Sequence, residues 1–215
     1  MINKRKLRRM ALAASIAAPL ALPTVPAAQA QTTPTGELAR VQNHLTAMQS
    51  LTADFSQSDR NGQVLTGRLT LKAPGRIRFQ YQPSVPLLIV ADGRSLTMID
   101  YEVRQVQRWP VRNSPLAVLI DPAANLMRYA RLQPTADPNV LSVEVRDPRR
   151  PEYGMITMIF TRDAASPGGL KLHSWVALDA QNNRTTVRLS NQRYNVPVAD
   201  SAFRWRDPRP ATRGR

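Results

Sequence analysis

The chain of 215 residues contains no cysteine, only two histidines and only nine glycines, and aromatic residues make up 6% of it. Without cysteine there is no disulfide, no thiolate zinc site and no lipid-modified cysteine, so the fold depends on its apolar core. His44 and His173 are far apart in sequence and form neither an HExxH motif nor a metal-binding cluster. The glycines form no phosphate-binding loop and no G-x-S-x-G turn. We therefore expect no metal, no cofactor and no enzymatic activity.

Two polar positions could suggest catalysis, but local structure accounts for both. Ser114 precedes Pro115, a pairing typical of a helix start, so it is interpreted as a cap rather than a nucleophile. Asp92 opens an Asp-Gly turn, which explains it without an acid–base partnership with Asp100. No set of nucleophile, base and orienting group can be assembled, so no catalytic residue is predicted.

The first thirty residues have the features of a secretory signal peptide. Five basic residues precede an apolar run from Met10 to Leu22, and Ala28-Gln29-Ala30 is a small-x-small cleavage site. We predict a signal peptide over 1–30, one domain over 31–208 and a disordered tail over 209–215. The five basic residues leave with the signal peptide, so the net charge of +15 falls to about +10.

This positive charge favours acidic partners, and we expect contact with an anionic membrane surface. The alternative is that the arginines simply occupy solvated faces. Strand geometry argues against nucleic acid as a partner, and none is predicted. Arg76 and Arg78 alternate with Phe79 and Tyr81, so a strand points the cations and the rings to opposite faces.

Alternation of apolar and polar residues predicts a mainly antiparallel β fold. From Gly67 to Tyr81 every second residue is apolar, apart from a tight turn at Ala73-Pro74-Gly75. With the other alternating or apolar runs we predict about eleven strands, at spacings typical of a barrel or sandwich. They are Leu51–Ser58, Val64–Lys72, Arg76–Gln82, Leu87–Val90, Ser95–Asp100, Val103–Trp109, Val140–Arg146, Met155–Thr161, Leu170–Asp179, Arg184–Asn191 and a short last strand at Phe203 and Trp205.

Three helices are predicted beside these strands. Leu38, Val41, Leu45 and Met48 form one apolar stripe over 36–50, with Thr35 as the N-cap. Short apolar helices follow over 113–120 and from about Pro122 to Ala130. Apolar helices inserted among strands are candidates for a lid.

The interior leaves two interpretations open. The apolar residues can fill an ordinary packed core, or they can line a cavity in a half-open barrel. Flexible methionines would suit a surface that accepts variable acyl chains, and four are available: Met98, Met127, Met155 and Met158.

The order of several motifs resembles the LolA-type periplasmic outer-membrane lipoprotein carriers. These motifs are Ala53-Asp54-Phe55-Ser56-Gln57, Gly67-x-Leu69-x-Leu71-x-x-Pro74-Gly75-x-x-Arg78-Phe79-x-Tyr81, Val90-Ala91-Asp92-Gly93-x-x-Leu96, Ser114-Pro115-Leu116 and Asn191…Phe203-x-Trp205-x-x-Pro208. The resemblance covers nearly the whole chain after the signal peptide. It implies a mainly β fold with some α: an incomplete, half-open antiparallel β-barrel closed by the N-terminal helix and short lid helices.

The resemblance also implies a function and partners. The carrier would be a periplasmic monomer that takes acylated lipoproteins from an inner-membrane ABC lipoprotein-release transporter to an outer-membrane acceptor or membrane surface. The lipid cavity would be lined by Leu69, Leu71, Ile77, Phe79, Tyr81, Leu88, Val90, Leu96 and Met98. The lid would carry Leu116, Leu119, Ile120 and Met127.

One departure from the family pattern concerns how the lid is held. Many members carry an arginine before the proline of the first hairpin, where it tethers the lid, and this chain has Ala73 there. Arg76 and Arg78 are candidate substitutes.

The alternative function is a periplasmic lipid-sensing regulatory protein of the same fold.

Overall fold

The computed structural model describes residues 34–111, 114, 116–120 and 128–210, and the predicted signal peptide lies outside this part. Its first element is helix α1, Pro34–Ala47, which confirms the predicted amphipathic helix. Val41, Leu45 and Met48 are buried along one face, as their spacing predicts. Thr35 lies within the first turn instead of capping it.

Eleven antiparallel strands form one sheet, so the predicted strand number is confirmed. They are β1 (Ser50–Asp59), β2 (Val64–Lys72), β3 (Arg76–Tyr81), β4 (Leu87–Asp92), β5 (Ser95–Asp100), β6 (Gln105–Pro110), β7 (Ala130–Gln133), β8 (Val140–Val145), β9 (Met155–Arg162), β10 (Leu170–Leu178) and β11 (Arg184–Tyr194). Their order is β6-β5-β4-β3-β2-β1-β11-β10-β9-β8-β7. The edge strands β6 and β7 do not pair with each other in the described residues, so the predicted barrel is incomplete, as expected.

One predicted strand is replaced by another. The segment with Phe203 and Trp205 forms no strand, because Asp200–Phe203 folds as a 3-10 turn followed by extended chain. The strand that sequence analysis missed is β7, which is only four residues long and pairs with β8. The predicted second short helix was expected to end at Ala130, but Ala130 begins this strand. Of the other residues of that predicted helix, 122–127 lie outside the described part of the chain.

The inner face of the sheet carries the main hydrophobic core. Alternate residues of nearly every strand meet there with α1, because successive side chains of a strand point to opposite faces. Among the described residues, the largest fully buried side chains of this core include Trp175, Phe160, Leu45 and Met158. The sheet therefore curves around one interior, on which α1 packs.

A second, smaller core lies on the outer face of β4 and β5. Leu88, Val90 and Ile99 pack there against Phe203, and Trp205 is half-buried beside them. We call residues 195–205 the C-terminal strap, because this segment crosses the outer face and covers these side chains. The long apolar run of β4 is thereby explained, since both of its faces are covered.

Candidate functional site

The inner wall is built around four aromatic rings. Phe55 meets Phe79 and Tyr81 edge to face, with ring centroids 5.4 and 5.2 Å apart, and Phe79 meets Trp175 at 6.2 Å. Such edge-to-face pairs add to the stabilisation that burial alone supplies. Gly67 lies beside Phe55, and a Cβ on Gly67 would come 2.8 Å from the Phe55 ring.

The hydroxyl of Tyr81 is the polar end of this aromatic group. It donates a hydrogen bond to Oε1 of Gln57 at 2.8 Å. Burial raises the pKa of Tyr81 to about 12, so the phenol stays neutral at physiological pH. A neutral, hydrogen-bonded phenol is compatible with an apolar interior.

Six of the nine predicted cavity residues lie in the main core. They are Leu69, Leu71, Ile77, Phe79, Tyr81 and Leu96. Met98 is half-buried and pairs directly with Ile89, which packs on the same core, so it faces the same side of the sheet.

The placement of Leu88 and Val90 in the cavity was wrong. Both belong to the second core, on the outer face. The inner positions of β4 are Leu87, Ile89 and Ala91 instead. The error has a simple cause: β4 is apolar at every position from 87 to 91, so its pattern contains no information on which residues face inward.

The predicted lid begins with helix α2, Ala117–Ile120. Leu119 is 3% exposed and packs in the same core as the predicted cavity residues, and Leu116 is partly buried against that core. Ile120 ends the helix. Met127 lies outside the described residues. In sequence this segment joins β6 and β7, the two edge strands of the sheet.

In the described part of the chain Arg76 and Arg78 contact the C-terminal strap, and the idea that either of them tethers the lid stays a prediction. Arg76 forms an ion pair with Asp200 at 2.6 Å. Arg78 donates to the carbonyl oxygens of Ala202 at 3.2 Å and Arg204 at 3.0 Å. Both side chains leave the sheet on the face opposite Ile77 and Phe79, and both hold the C-terminal strap.

Helix α1 is held by two polar contacts that sequence analysis did not find. Buried Glu37 accepts a hydrogen bond from Arg162 at 2.8 Å. His44, fully buried, donates from Nδ1 to the carbonyl oxygen of Pro167 at 2.7 Å. Burial lowers the pKa of His44, which favours its neutral form.

A large open cleft adjoins the lid. Its volume is 1490 Å³, and it is lined by the β2–β3 and β4–β5 turns, by α2 and by the loop after β8. Val111, Val118 and Ile156 contribute an apolar floor that belongs to the main core. Lys72, Arg76, Arg94 and Arg150 are the cationic residues of its lining. The cleft thus joins an apolar interior to a charged rim.

Part of the inner wall was not predicted from the sequence. Phe55, Trp175 and Phe160 are buried in the main core but were not predicted as cavity residues, and Met158, also buried there, was predicted only as one of the flexible methionines. Phe55 lies between the polar residues Asp54 and Ser56, so strand periodicity could have identified it. Trp175 lies after an irregularity in the pairing of β10 with β9, between Leu172 and Ser174, which shifts the alternation.

The described residues contain neither a candidate metal site nor a membrane-spanning helix. No group of three or more histidine or acidic side chains in them could hold a metal ion. Within the same residues, no helix is both long enough and apolar enough to cross a bilayer.

Comparison with known proteins agrees with the fold. The chain is 29% identical over 170 residues to the outer-membrane lipoprotein carrier protein of Xanthomonas oryzae pv. oryzae, covering 74% of this chain and 78% of the relative. It is 28% identical over 211 residues to the protein of that name from Chromobacterium violaceum, covering 93% of each. A DUF1329 family protein from Desulfovibrio piger has a similar fold, with a TM-score of 0.50 at 13% identity, over 78% of this chain and 95% of that one.

The family profile of the outer membrane lipoprotein carrier protein LolA matches residues 46–206. The match runs from the end of α1 to the C-terminal strap, and therefore includes all eleven strands and the lid segment. The chain belongs to the LolA family of outer membrane lipoprotein carrier proteins.

Proposed function

We propose that the protein is a periplasmic carrier that binds the acyl chains of lipoproteins in its interior and moves them from the inner to the outer membrane. The observation that carries this proposal is the position of Leu119. This lid side chain fills part of the same apolar core that the inner walls of β2, β3 and β5 form. Displacing the lid would expose apolar wall that acyl chains can cover.

The energetics of acyl binding constrain how such a carrier can release its cargo. Three chains of about fifteen methylenes, at ~0.8 kcal/mol each, would contribute about 35 kcal/mol, which exceeds the ceiling of non-covalent affinity near ~20 kcal/mol. A bilayer offers similar burial, so only the difference between the two environments counts. A lid that returns to the empty interior re-buries Leu119 and Val118, and so lowers the net affinity for cargo to a level that permits release.

The proposed partners follow from this role. An inner-membrane ABC transporter would load the carrier, and an outer-membrane acceptor or the membrane itself would unload it. Export by the predicted signal peptide would place the protein in the periplasm between them. The membership of the LolA family supports these steps.

The test is native mass spectrometry of the mature protein with a triacylated lipopeptide. We expect a one-to-one complex, and no complex with the same peptide lacking acyl chains. If neither binds, the interior is an ordinary packed core and the carrier proposal is wrong.

Because the chain has no cysteine, a second test can join the lid to the sheet by a single engineered disulfide, which should block loading until it is reduced.

A further inference from the structure

One carboxylate of the strap occupies a cationic site in the wall of the cleft. Oδ1 of Asp200 lies 2.6 Å from Nζ of Lys72 and 2.6 Å from Nη1 of Arg76. Both cations project from the strand ends at the β2–β3 hairpin, and all three residues line the cleft. A single oxygen is therefore held between two cations, as a phosphate oxygen would be.

The same cleft has an apolar floor. Val111, Val118 and Ile156 are 6%, 8% and 1% exposed, and they connect the cleft to the main core. At 1490 Å³ the cleft exceeds the ~300–1,000 Å³ that is usual for small-molecule sites. An apolar floor beside a pair of cations is complementary to a molecule with acyl chains and an anionic headgroup.

Cations outnumber carboxylates in the lining of the cleft, with Lys72, Arg76, Arg94 and Arg150 against Asp92, Asp147 and Asp200. Arg94 and Arg150 also line it, and neither has an ion-pair partner among the described residues. Of the remaining carboxylates in the lining, Asp92 is paired with Arg108 at 2.7 Å, and Asp147 lies in the loop after β8. Hydrogen bonds from Arg76 and Lys72 lower the pKa of Asp200 to about 2.

We propose that this cleft binds an anionic phospholipid, whose headgroup phosphate takes the position of the Asp200 carboxylate between Lys72 and Arg76 and whose acyl chains lie on the apolar floor. Asp200 then acts as an internal competitor that occupies the headgroup position when no lipid is bound. The inference rests on the proposed function, because it requires an interior that admits acyl chains. It adds a second class of ligand that differs from lipoproteins in carrying a phosphate.

The competition makes opposite predictions for the two sides of the ion pair. Short-chain phosphatidylglycerol is titrated into the mature protein, and intrinsic tryptophan fluorescence reports binding. A parallel titration uses a diacylglycerol with the same acyl chains but no phosphate. Lys72→Gln with Arg76→Gln should weaken phosphatidylglycerol binding at least about tenfold and leave diacylglycerol binding unchanged. Asp200→Asn should strengthen phosphatidylglycerol binding by about threefold or more, since it removes the competitor. A purely structural strap contact would not give these opposite signs.

The matched controls are Arg68→Gln and Asp54→Asn. This pair, 3.5 Å apart, lies on the outer face of β2 and β1, away from the cleft, and both changes should leave phosphatidylglycerol binding as it is. Asp200→Asn also keeps the test decisive if the double variant is unstable. Unchanged or weaker phosphatidylglycerol binding by Asp200→Asn would overturn the inference.

Two further ligands separate the remaining outcomes. Glycerol 3-phosphate carries the phosphate without acyl chains, and if it binds as tightly as phosphatidylglycerol, the site is one for free phosphate and the lipid assignment is wrong. Triacylated lipopeptide tests the carrier role itself. If lipopeptide and diacylglycerol bind, but the variant with Lys72→Gln and Arg76→Gln binds phosphatidylglycerol as tightly as the parent chain does, only this inference fails. If no acylated ligand binds, the proposed function fails with it.

Discussion

Arg78 donates a hydrogen bond to the carbonyl oxygen of Ala202, 3.2 Å away, and this contact joins strand β3 to the C-terminal strap. A second hydrogen bond of Arg78 reaches the carbonyl oxygen of Arg204 at 3.0 Å. The side chain thus satisfies two backbone acceptors of a segment that has no sheet partner. Below the strap lies the second core, in which Phe203 packs on Leu88, Val90 and Ile99.

Arg78→Ala should release the strap without affecting the lid. The variant loses hydrogen bonds from a charged donor that is still partly exposed, so we expect the free energy of unfolding to fall by about 1–2 kcal/mol. Limited proteolysis should then cut within 195–205 faster than in the parent chain. Arg68→Ala, at an exposed arginine on the same face, is the control. If Arg78→Ala instead alters lipopeptide affinity and leaves proteolysis unchanged, Arg78 acts on the lid after all.

Two buried leucines on opposite faces of the sheet distinguish the two cores. Leu69 and Leu88 are each 1% exposed, but Leu69 lies in the main core and Leu88 beneath the strap. Each change to alanine should lower the free energy of unfolding by about 2–5 kcal/mol in urea denaturation. Only Leu69→Ala should alter lipopeptide affinity. Equal effects of the two variants on binding would contradict the assignment of the inner face as the lipid-binding wall.

Leu119→Ala should make the carrier bind its cargo more tightly. The change removes part of the lid side chain that competes with acyl chains for the interior, so it destabilises the empty closed state more than the loaded state. About 1.4 kcal/mol of such a difference gives tenfold tighter lipopeptide binding, which titration calorimetry can measure. Val64→Ala, at a residue 56% exposed, should leave the affinity unchanged. Weaker binding by Leu119→Ala would mean that Leu119 contacts the cargo directly and does not compete with it.

Stability should fall at mildly acid pH because of His44. Its pKa is lowered in the folded protein, chiefly by burial, from an ordinary value of 6.5. Below pH 6.5 the unfolded chain therefore binds a proton that the folded chain does not, and stability is lost from there down to the folded pKa. The groups that face His44 are the rings of Phe160 and Tyr194, with centroids 5.5 and 5.7 Å away.

The measurement is the unfolding temperature between pH 7 and pH 5. Replacing His44 by Gln should lower the unfolding temperature at pH 7 but reduce its decline toward pH 5 by at least about 2 °C. The same replacement of His173, which is exposed, serves as the control. An undiminished decline in His44→Gln would show that other groups cause the pH dependence.

Local patterns predicted most of the elements correctly. The apolar stripe of α1 and the alternation of β2 and β3 depend on the direction of successive side chains, which the backbone geometry of each element determines. Six cavity candidates consequently lie on one face, as their spacing predicts. The alternation of β3 also places Arg76 and Arg78 opposite that face, where they contact the C-terminal strap.

Other features depended on contacts between distant parts of the chain. The β4 run is apolar on both faces, and only the position of the strap, about 110 residues later, explains its outer side. The order of the strands is equally non-local, because β1 pairs with β11 through partners such as Phe55 and Leu189.

Local residue patterns were enough to predict the type of each long element, the apolar face of each alternating strand and the family. Which apolar face encloses the interior, where Arg76 and Arg78 bind, and the position of Asp200 in a cationic site of the cleft became known only from the folded chain. The direction of a side chain follows from the residues next to it in sequence. The partner of a side chain is set instead by free energies of contact between segments that are far apart in sequence, as Arg78 and Ala202 are.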